Sequence, residues 1–104
     1  MEIYPGEVIE FSDVKPDVLH ERIMRIRNLT SRNARVRIST FPKFSYFSVK
    51  LKSLSAVAPN LYVDAVVSFR FRADEVMPSV LEDALHVRLE GGPVQAIKLL
   101  AKRG

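Results

Sequence analysis

The stretch APNLYVDAVVSFRFR, residues 58–72, decides the fold. After a Pro-Asn turn, apolar side chains recur at every second position, at Val63, Ala65, Val67, Phe69 and Phe71. Successive side chains of a strand point to opposite faces, so this alternation predicts a half-buried β-strand over residues 61–72. A helix would scatter the same residues around its circumference.

Six further segments show a similar strand pattern, separated by turn signals such as Gly91-Gly92-Pro93. They cover residues 8–11, 21–29, 34–40, 47–51, 84–89 and 94–101. Residues 79–84 could instead form a helical turn and residues 94–102 a terminal helix, although a strand is favoured for the latter. The pattern predicts an all-β protein, an immunoglobulin-like, seven-stranded antiparallel β-sandwich. Its expected core includes Met24, Ile26, Val36, Ile38, Val49, Val67, Phe69, Leu85 and Val87.

Length and composition favour one domain over residues 1–104, because 104 residues that are 47% hydrophobic suffice for a single core. The absence of cysteine excludes disulfides and cysteine-ligated metals. Neither a signal-peptide pattern nor an apolar run of about 20 residues occurs. We therefore expect a cytoplasmic chain that does not insert into a membrane.

Catalytic patterns are weak. His20 and His86 have no neighbouring pattern of metal ligands, and Glu82 and Asp83 would face opposite ways on a strand. The glycine pair Gly91-Gly92 precedes a proline rather than a helix N-terminus, so it does not predict a phosphate loop. We expect no enzymatic activity, no cofactor and no metal site.

One polar residue, Asn28, continues the inward parity of Met24 and Ile26 at the end of its strand. A buried amide must be hydrogen-bonded, and Asn commonly bonds the backbone of a following turn. The sequence therefore predicts that Asn28 organises the turn after it.

The basic residues form the strongest constellation. The net charge is +4, and nine Lys and Arg residues lie between His20 and Lys52, where only Glu21 opposes them. Three strands expected in one sheet place six cations on its outer face: Arg25, Arg27, Lys50, Lys52, Arg70 and Arg72. Such a face is either a solvated surface that resists aggregation or a docking surface for an acidic partner. Nucleic acid is disfavoured as the partner, because no stacking aromatic residues are evident among the cations.

Several short motifs occur in a recognisable order. They are Ile9-Glu-Phe11, Met24-x-Ile26-x-Asn28-Leu29-Thr30, Val36-x-Ile38, Phe47-x-Val49, Ala58-Pro59-Asn60, Val67-x-Phe69 and a late Gly92…Ile97-x-Leu99-x-Ala101. The series resembles the immunoglobulin-like ASH domains of Hydin-type proteins, relatives of the major sperm protein domain. Asn60 replaces the usual glycine, and Ala73 stands where proline often ends the strand.

The resemblance implies a non-enzymatic scaffolding or protein-interaction module of a cilium, flagellum, basal body or centrosome, within a larger multidomain protein. An acidic tubulin tail or acidic motif would suit its basic face. The alternative is the branch of VAMP-associated proteins, in which a major sperm protein domain binds an acidic linear motif at membrane contacts. Arg35, Arg37, Thr40, Pro42 and Lys43 lie in the region that branch uses, but no binding residue matches one by one.

Overall fold

The computed structural model describes residues 1–40 and 46–104. Eight strands and no helix occur in these two ranges. The strands are β1 (Glu2–Tyr4), β2 (Val8–Val14), β3 (His20–Arg27), β4 (Val36–Thr40), β5 (Phe47–Leu51), β6 (Tyr62–Phe69), β7 (Val80–Leu89) and β8 (Gln95–Arg103).

Two four-stranded sheets make up the sandwich. The first has the order β1-β3-β6-β5 and the second the order β2-β8-β7-β4. Apolar residues of alternate positions fill the space between the sheets, as the periodicity predicts. The predicted immunoglobulin-like β-sandwich is thus confirmed, including the placement of β3, β5 and β6 in one sheet.

The structure differs from the prediction at the N-terminus, where an eighth strand occurs. The three residues of β1 pair with β3, and Gly6 then turns with a φ of +131°, which favours glycine. The chain enters the second sheet as β2, which runs parallel to β8, so the sandwich is not wholly antiparallel. Three residues are too few for alternation to reveal a strand.

The two segments of ambiguous pattern are both strands. β7 already begins at Val80, and Leu81 pairs with Ala101, so the alternative of a helical turn over residues 79–84 is wrong. The C-terminal segment forms β8, which confirms the strand interpretation. The long β7–β8 pairing satisfies backbone groups that a helical turn would leave to other partners.

The core agrees closely with the alternation. Of the nine expected core residues, Met24, Ile26, Val36, Val67, Phe69, Leu85 and Val87 are buried. Ile38 and Val49 are only partly buried, and both lie on edge strands, β4 and β5. The two sheets therefore face each other as predicted.

Asn28 is fully buried and fully hydrogen-bonded. Its Nδ2 donates to the carbonyl of Arg32 at 2.7 Å and to that of Val57 at 2.8 Å. Its Oδ1 accepts bonds from the backbone N–H of Thr30 at 2.9 Å and from the Thr30 hydroxyl at 2.6 Å. The predicted role in the following turn is confirmed, and the bond to Val57 adds a link to a distant segment.

Candidate protein-interaction surface

The outward side chains of the first sheet form the candidate surface, called the outer face below. They are Glu2 and Tyr4 of β1, Glu21, Ile23, Arg25 and Arg27 of β3, Tyr62, Asp64, Val66 and Ser68 of β6, and Ser48 and Lys50 of β5. Each points away from the core because its strand neighbours point into it.

Arg25 lies at the centre of the outer face, in register between Tyr4 and Asp64. Its Nε donates to Asp64 Oδ1 at 3.0 Å and its Nη2 to Oδ2 at 3.4 Å. Its Cζ lies 3.7 Å from the ring centroid of Tyr62, a diagonal neighbour. A forked bond on one side and a ring beneath hold this guanidinium in one position.

The Arg25 hydrogen bond holds the pKa of Asp64 below its ordinary value, while burial of the carboxyl acts in the opposite direction. A carboxyl whose pKa is lower in the folded state stabilises the fold above its unfolded pKa. That contribution is lost as the pH falls through the folded pKa. The Arg25–Asp64 pair is therefore intact at neutral pH and is lost in acid.

Replacing Arg25 by Gln should raise the pKa of Asp64 towards its ordinary value, because the main stabiliser of the carboxylate is removed. NMR titration of the Asp64 side chain measures this. Arg27→Gln is the matched control, since Arg27 makes no bond to Asp64, and it should leave that pKa nearly unchanged. If the pKa of Asp64 stayed low in Arg25→Gln, Lys52 rather than Arg25 would be its main cause, since Lys52 also lowers that pKa.

Arg27 is held more loosely than Arg25. Its Nε lies 3.9 Å from Glu2 Oε1, and the side chains of Arg27 and Glu2 are 44% and 63% exposed. Glu2 and Glu21 also occupy this face, so Asp64 is not its only acid. Two of the six predicted cations thus have carboxylate partners, and the face is less uniformly positive than the sequence predicts.

The other four predicted cations lie towards β5 and the end of β6. Lys50 points outward from β5, and the N–H of Lys52 bonds the Asp64 carbonyl one residue beyond that strand. The N–H of Arg70 bonds the Tyr46 carbonyl, whereas Arg72 lies in a turn where its N–H bonds the Glu75 carboxylate at 3.0 Å. Within residues 1–40 and 46–104, no salt bridge or side-chain hydrogen bond involves these four cationic groups.

A hollow of about 460 Å³ opens on the outer face beside β1. It is lined by Glu2, Tyr4, Ile23, Arg25 and Arg27. Tyr4 is 71% exposed and Ile23 46% exposed, so the lining of the hollow presents apolar surface to solvent. The hollow combines apolar surface with two arginines.

Two tyrosines of this region were missed by the sequence reasoning. Tyr4 belongs to the unpredicted β1, and Tyr62 stands on the outward parity of β6, where its contact with Arg25 depends on strand register. Arg25 thus has a stacked aromatic neighbour, whereas no stacking aromatic residues are evident among the cations from the sequence alone. The outward parity of Tyr62 was the one signal that the sequence offered.

Neither histidine is fully exposed. His20 is half-buried, and its Nε2 accepts a bond from the N–H of Lys15 at 3.2 Å. His86 is half-buried on the outward side of β7. Among the described residues, no group of three or more His, Cys, Asp or Glu could hold a metal ion.

The region suggested by the major sperm protein alternative is only partly described. Arg37 of β4 bonds the carboxylate of Glu90 at 3.0 Å. Pro42 and Lys43 lie outside the described residues. Across residues 1–40 and 46–104, no helix is long and apolar enough to span a bilayer.

Comparison with known proteins defines the fold. No protein-family model matches the chain, and no curated protein matches its sequence. Among solved structures it is similar to the ASH/PapD-like domain of human CEP192 (PapD-like domain 7), with a TM-score of 0.75 and 12% identity, covering 99% of this chain and 84% of that one.

A second similar structure is a GH5 xyloglucanase from Bacteroides ovatus, solved in complex with a XXXG heptasaccharide. The TM-score is 0.62 and the identity 14%, covering 99% of this chain but only 19% of the enzyme. At such identities the likeness concerns the fold alone. The chain has the fold of an ASH/PapD-like domain, as its sequence motifs predict.

Proposed function

We propose that this domain is a non-enzymatic protein-interaction and scaffolding module of a ciliary, flagellar or centrosomal protein. In this proposal its outer face, with the adjoining Lys52, Arg70 and Arg72, docks an acidic protein segment such as a tubulin tail. The fold resemblance supports a module of this kind, and the distribution of charge supports the choice of surface. Locating the tagged full-length protein in cells tests the organelle directly.

The observation that carries the proposal is a set of cations that make no salt bridge within residues 1–40 and 46–104. Lys50, Lys52 and Arg70 are exposed and lie along one side of the first sheet. Like charges at such spacing repel modestly in water, and an anionic partner relieves that repulsion. Arginine also binds carboxylates through two parallel hydrogen bonds, which adds geometric selectivity.

Binding of an acidic probe should weaken as salt rises and after charge reversal. We expect Arg27→Glu combined with Arg70→Glu to lower the affinity for microtubules or a poly-Glu peptide roughly tenfold or more, because two attractions become repulsions. Both side chains are exposed, so the fold should persist. The measurement is affinity at low and high salt for the wild type and the variant.

Arg88→Glu is the matched control, since Arg88 is an exposed arginine on the second sheet. It should leave the affinity nearly unchanged. An affinity that ignores both salt and the double reversal would mean that the outer face is only a solvated surface.

A second candidate function is recognition of an acidic linear motif through the second sheet. It rests on the direct pairing of Arg37 with Arg88 across β4 and β7, beside a hollow of about 200 Å³ that Ser39 and His86 also line. Adjacent like charges on a sheet are unfavourable unless compensated, and Glu90 compensates one of the two. This candidate predicts the reverse result, in which Arg88→Glu abolishes binding and the outer-face reversals do not.

A further inference from the structure

The two arginines of the outer-face hollow have different freedom. Arg25 is fixed by its two hydrogen bonds to Asp64 and by the Tyr62 ring, so its side chain is a fixed part of the lining of the hollow. Arg27 has one weak partner, Glu2 Oε1 at 3.9 Å, and both groups are solvated. An ion pair of this kind contributes little and is readily exchanged for another carboxylate.

The walls of the hollow are mostly apolar. Tyr4 and Ile23 expose 71% and 46% of their surface, and Tyr62, at 46%, continues the exposed aromatic area next to Arg25. Exposed Tyr, Ile and Arg side chains brought together around a concavity are typical of the centre of a protein interface. A segment with only acidic side chains would pair with the cations of the outer face but would leave this apolar surface exposed to water.

We propose, on the basis of the proposed function, that the hollow receives a large aliphatic side chain of the acidic partner segment. A carboxylate next to this anchor residue replaces Glu2 on Arg27. Further carboxylates of the same segment meet Lys50 and Lys52. Arg25 acts as a positioning residue that keeps Tyr62 and the floor of the hollow in place.

The occupant is a foreign acidic segment rather than a second copy of this chain, because cations exceed carboxylates once the margin of the outer face is included. The outer face with the adjoining Lys52, Arg70 and Arg72 carries six cations against the three carboxylates Glu2, Glu21 and Asp64. Two identical faces would each bring this excess of positive charge to the contact. The apolar surface alone does not offset such repulsion when the groups are desolvated. The positive charge thus favours an acidic segment, and the hollow favours a large aliphatic residue within that segment.

The test uses two Glu- and Ser-rich peptides that differ only at one central position, Leu in one and Ala in the other. Titration followed by NMR of the whole domain should show that the Leu peptide binds roughly tenfold more tightly, as burying a leucine side chain implies. Its amide and methyl shift changes should centre on Ile23 and Tyr62. Raising salt should weaken both peptides.

Ile23→Ser should abolish the preference for Leu while leaving the salt-dependent binding of the Ala peptide intact. Val76→Ser is the matched control, because the Val76 side chain is 94% exposed elsewhere in the chain. It should change neither the preference for the Leu peptide nor the binding of the Ala peptide. Equal affinity for both peptides, with salt dependence retained, would overturn the anchor and leave the proposed function standing. If neither peptide bound, both the anchor and the proposed function would be overturned. Self-association of the domain that Ile23→Ser removes would assign the hollow to a second copy of this chain and overturn the anchor proposal.

Discussion

Truncation of Phe69 to Ala should cost the domain about 3–5 kcal/mol of unfolding free energy. Phe69 is fully buried at the end of β6, and its ring lies 4.9 Å from that of Phe47 and 6.0 Å from those of Phe11 and Phe71. Removing it leaves three rings without their common neighbour, and β-sheet backbones relax little to fill such a space. Since small domains have about 5–15 kcal/mol in all, much of the stability would be lost.

Urea unfolding of the wild type and the variant measures this cost, with an unchanged m-value showing that two-state behaviour persists. Val76→Ala is the control, because its side chain is nearly fully exposed, and it should change stability by about 0.5 kcal/mol or less. A loss below about 1 kcal/mol for Phe69→Ala would mean that the aromatic cluster is not the centre of the core.

Replacing Asn28 by Asp should destabilise the domain by about 3 kcal/mol or more at neutral pH. The change removes two donors, so the carbonyls of Arg32 and Val57 lose their partners. It also places a carboxylate oxygen against those carbonyl oxygens in a fully buried site. The bonds accepted from Thr30 remain available and offset only part of this cost.

Chemical unfolding at several pH values checks this result. Protonation of the new carboxyl restores one donor, so the difference from the wild type should shrink as the pH is lowered. Asn33→Asp is the matched control, since it makes the same chemical change at an exposed position of the same loop and should cost little. Equal effects of the two substitutions would show that the loss comes from added charge alone.

Alternation along a strand determines which side chains point into the core, but it does not determine which residues of two strands pair. Parity along β3 and β6 identifies which side chains point inward, because the side-chain period of a strand is two and depends on local sequence alone. It also identified the inward position of Asn28. Strand lengths of eight residues made these patterns unambiguous.

Register is what parity leaves open. Arg25 and Asp64, which form a salt bridge, are 39 positions apart in the sequence. Their pairing, and the contact of the Arg25 guanidinium with the Tyr62 ring, depend on how β3 and β6 are aligned, which no local sequence pattern reports. The same reason hides the bond from Asn28 to Val57, which are 29 positions apart. Parity thus predicts the outward positions of Arg25, Arg27 and Lys50, whereas the other three cations, Lys52, Arg70 and Arg72, lie beyond the strand ends. The pairing of Arg25 with Asp64 and of Arg27 with Glu2 depends on register.

The parallel pairing of β2 with β8 gives the domain a mechanical property. The pairing runs from Val8 with Lys98 to Phe11 with Ala101, and after a register shift Val14 pairs with Arg103. Hydrogen bonds from the Lys98 N–H to the Glu7 carbonyl and from the Gly104 N–H to the Val14 carbonyl extend this ladder at either end. A tension that draws the start of β2 away from the end of β8 slides the two strands along each other. The hydrogen bonds between the two strands then carry that tension together, instead of breaking one after another from one end. A module joined at both ends to a stretched scaffold would thus resist extension along its own long axis.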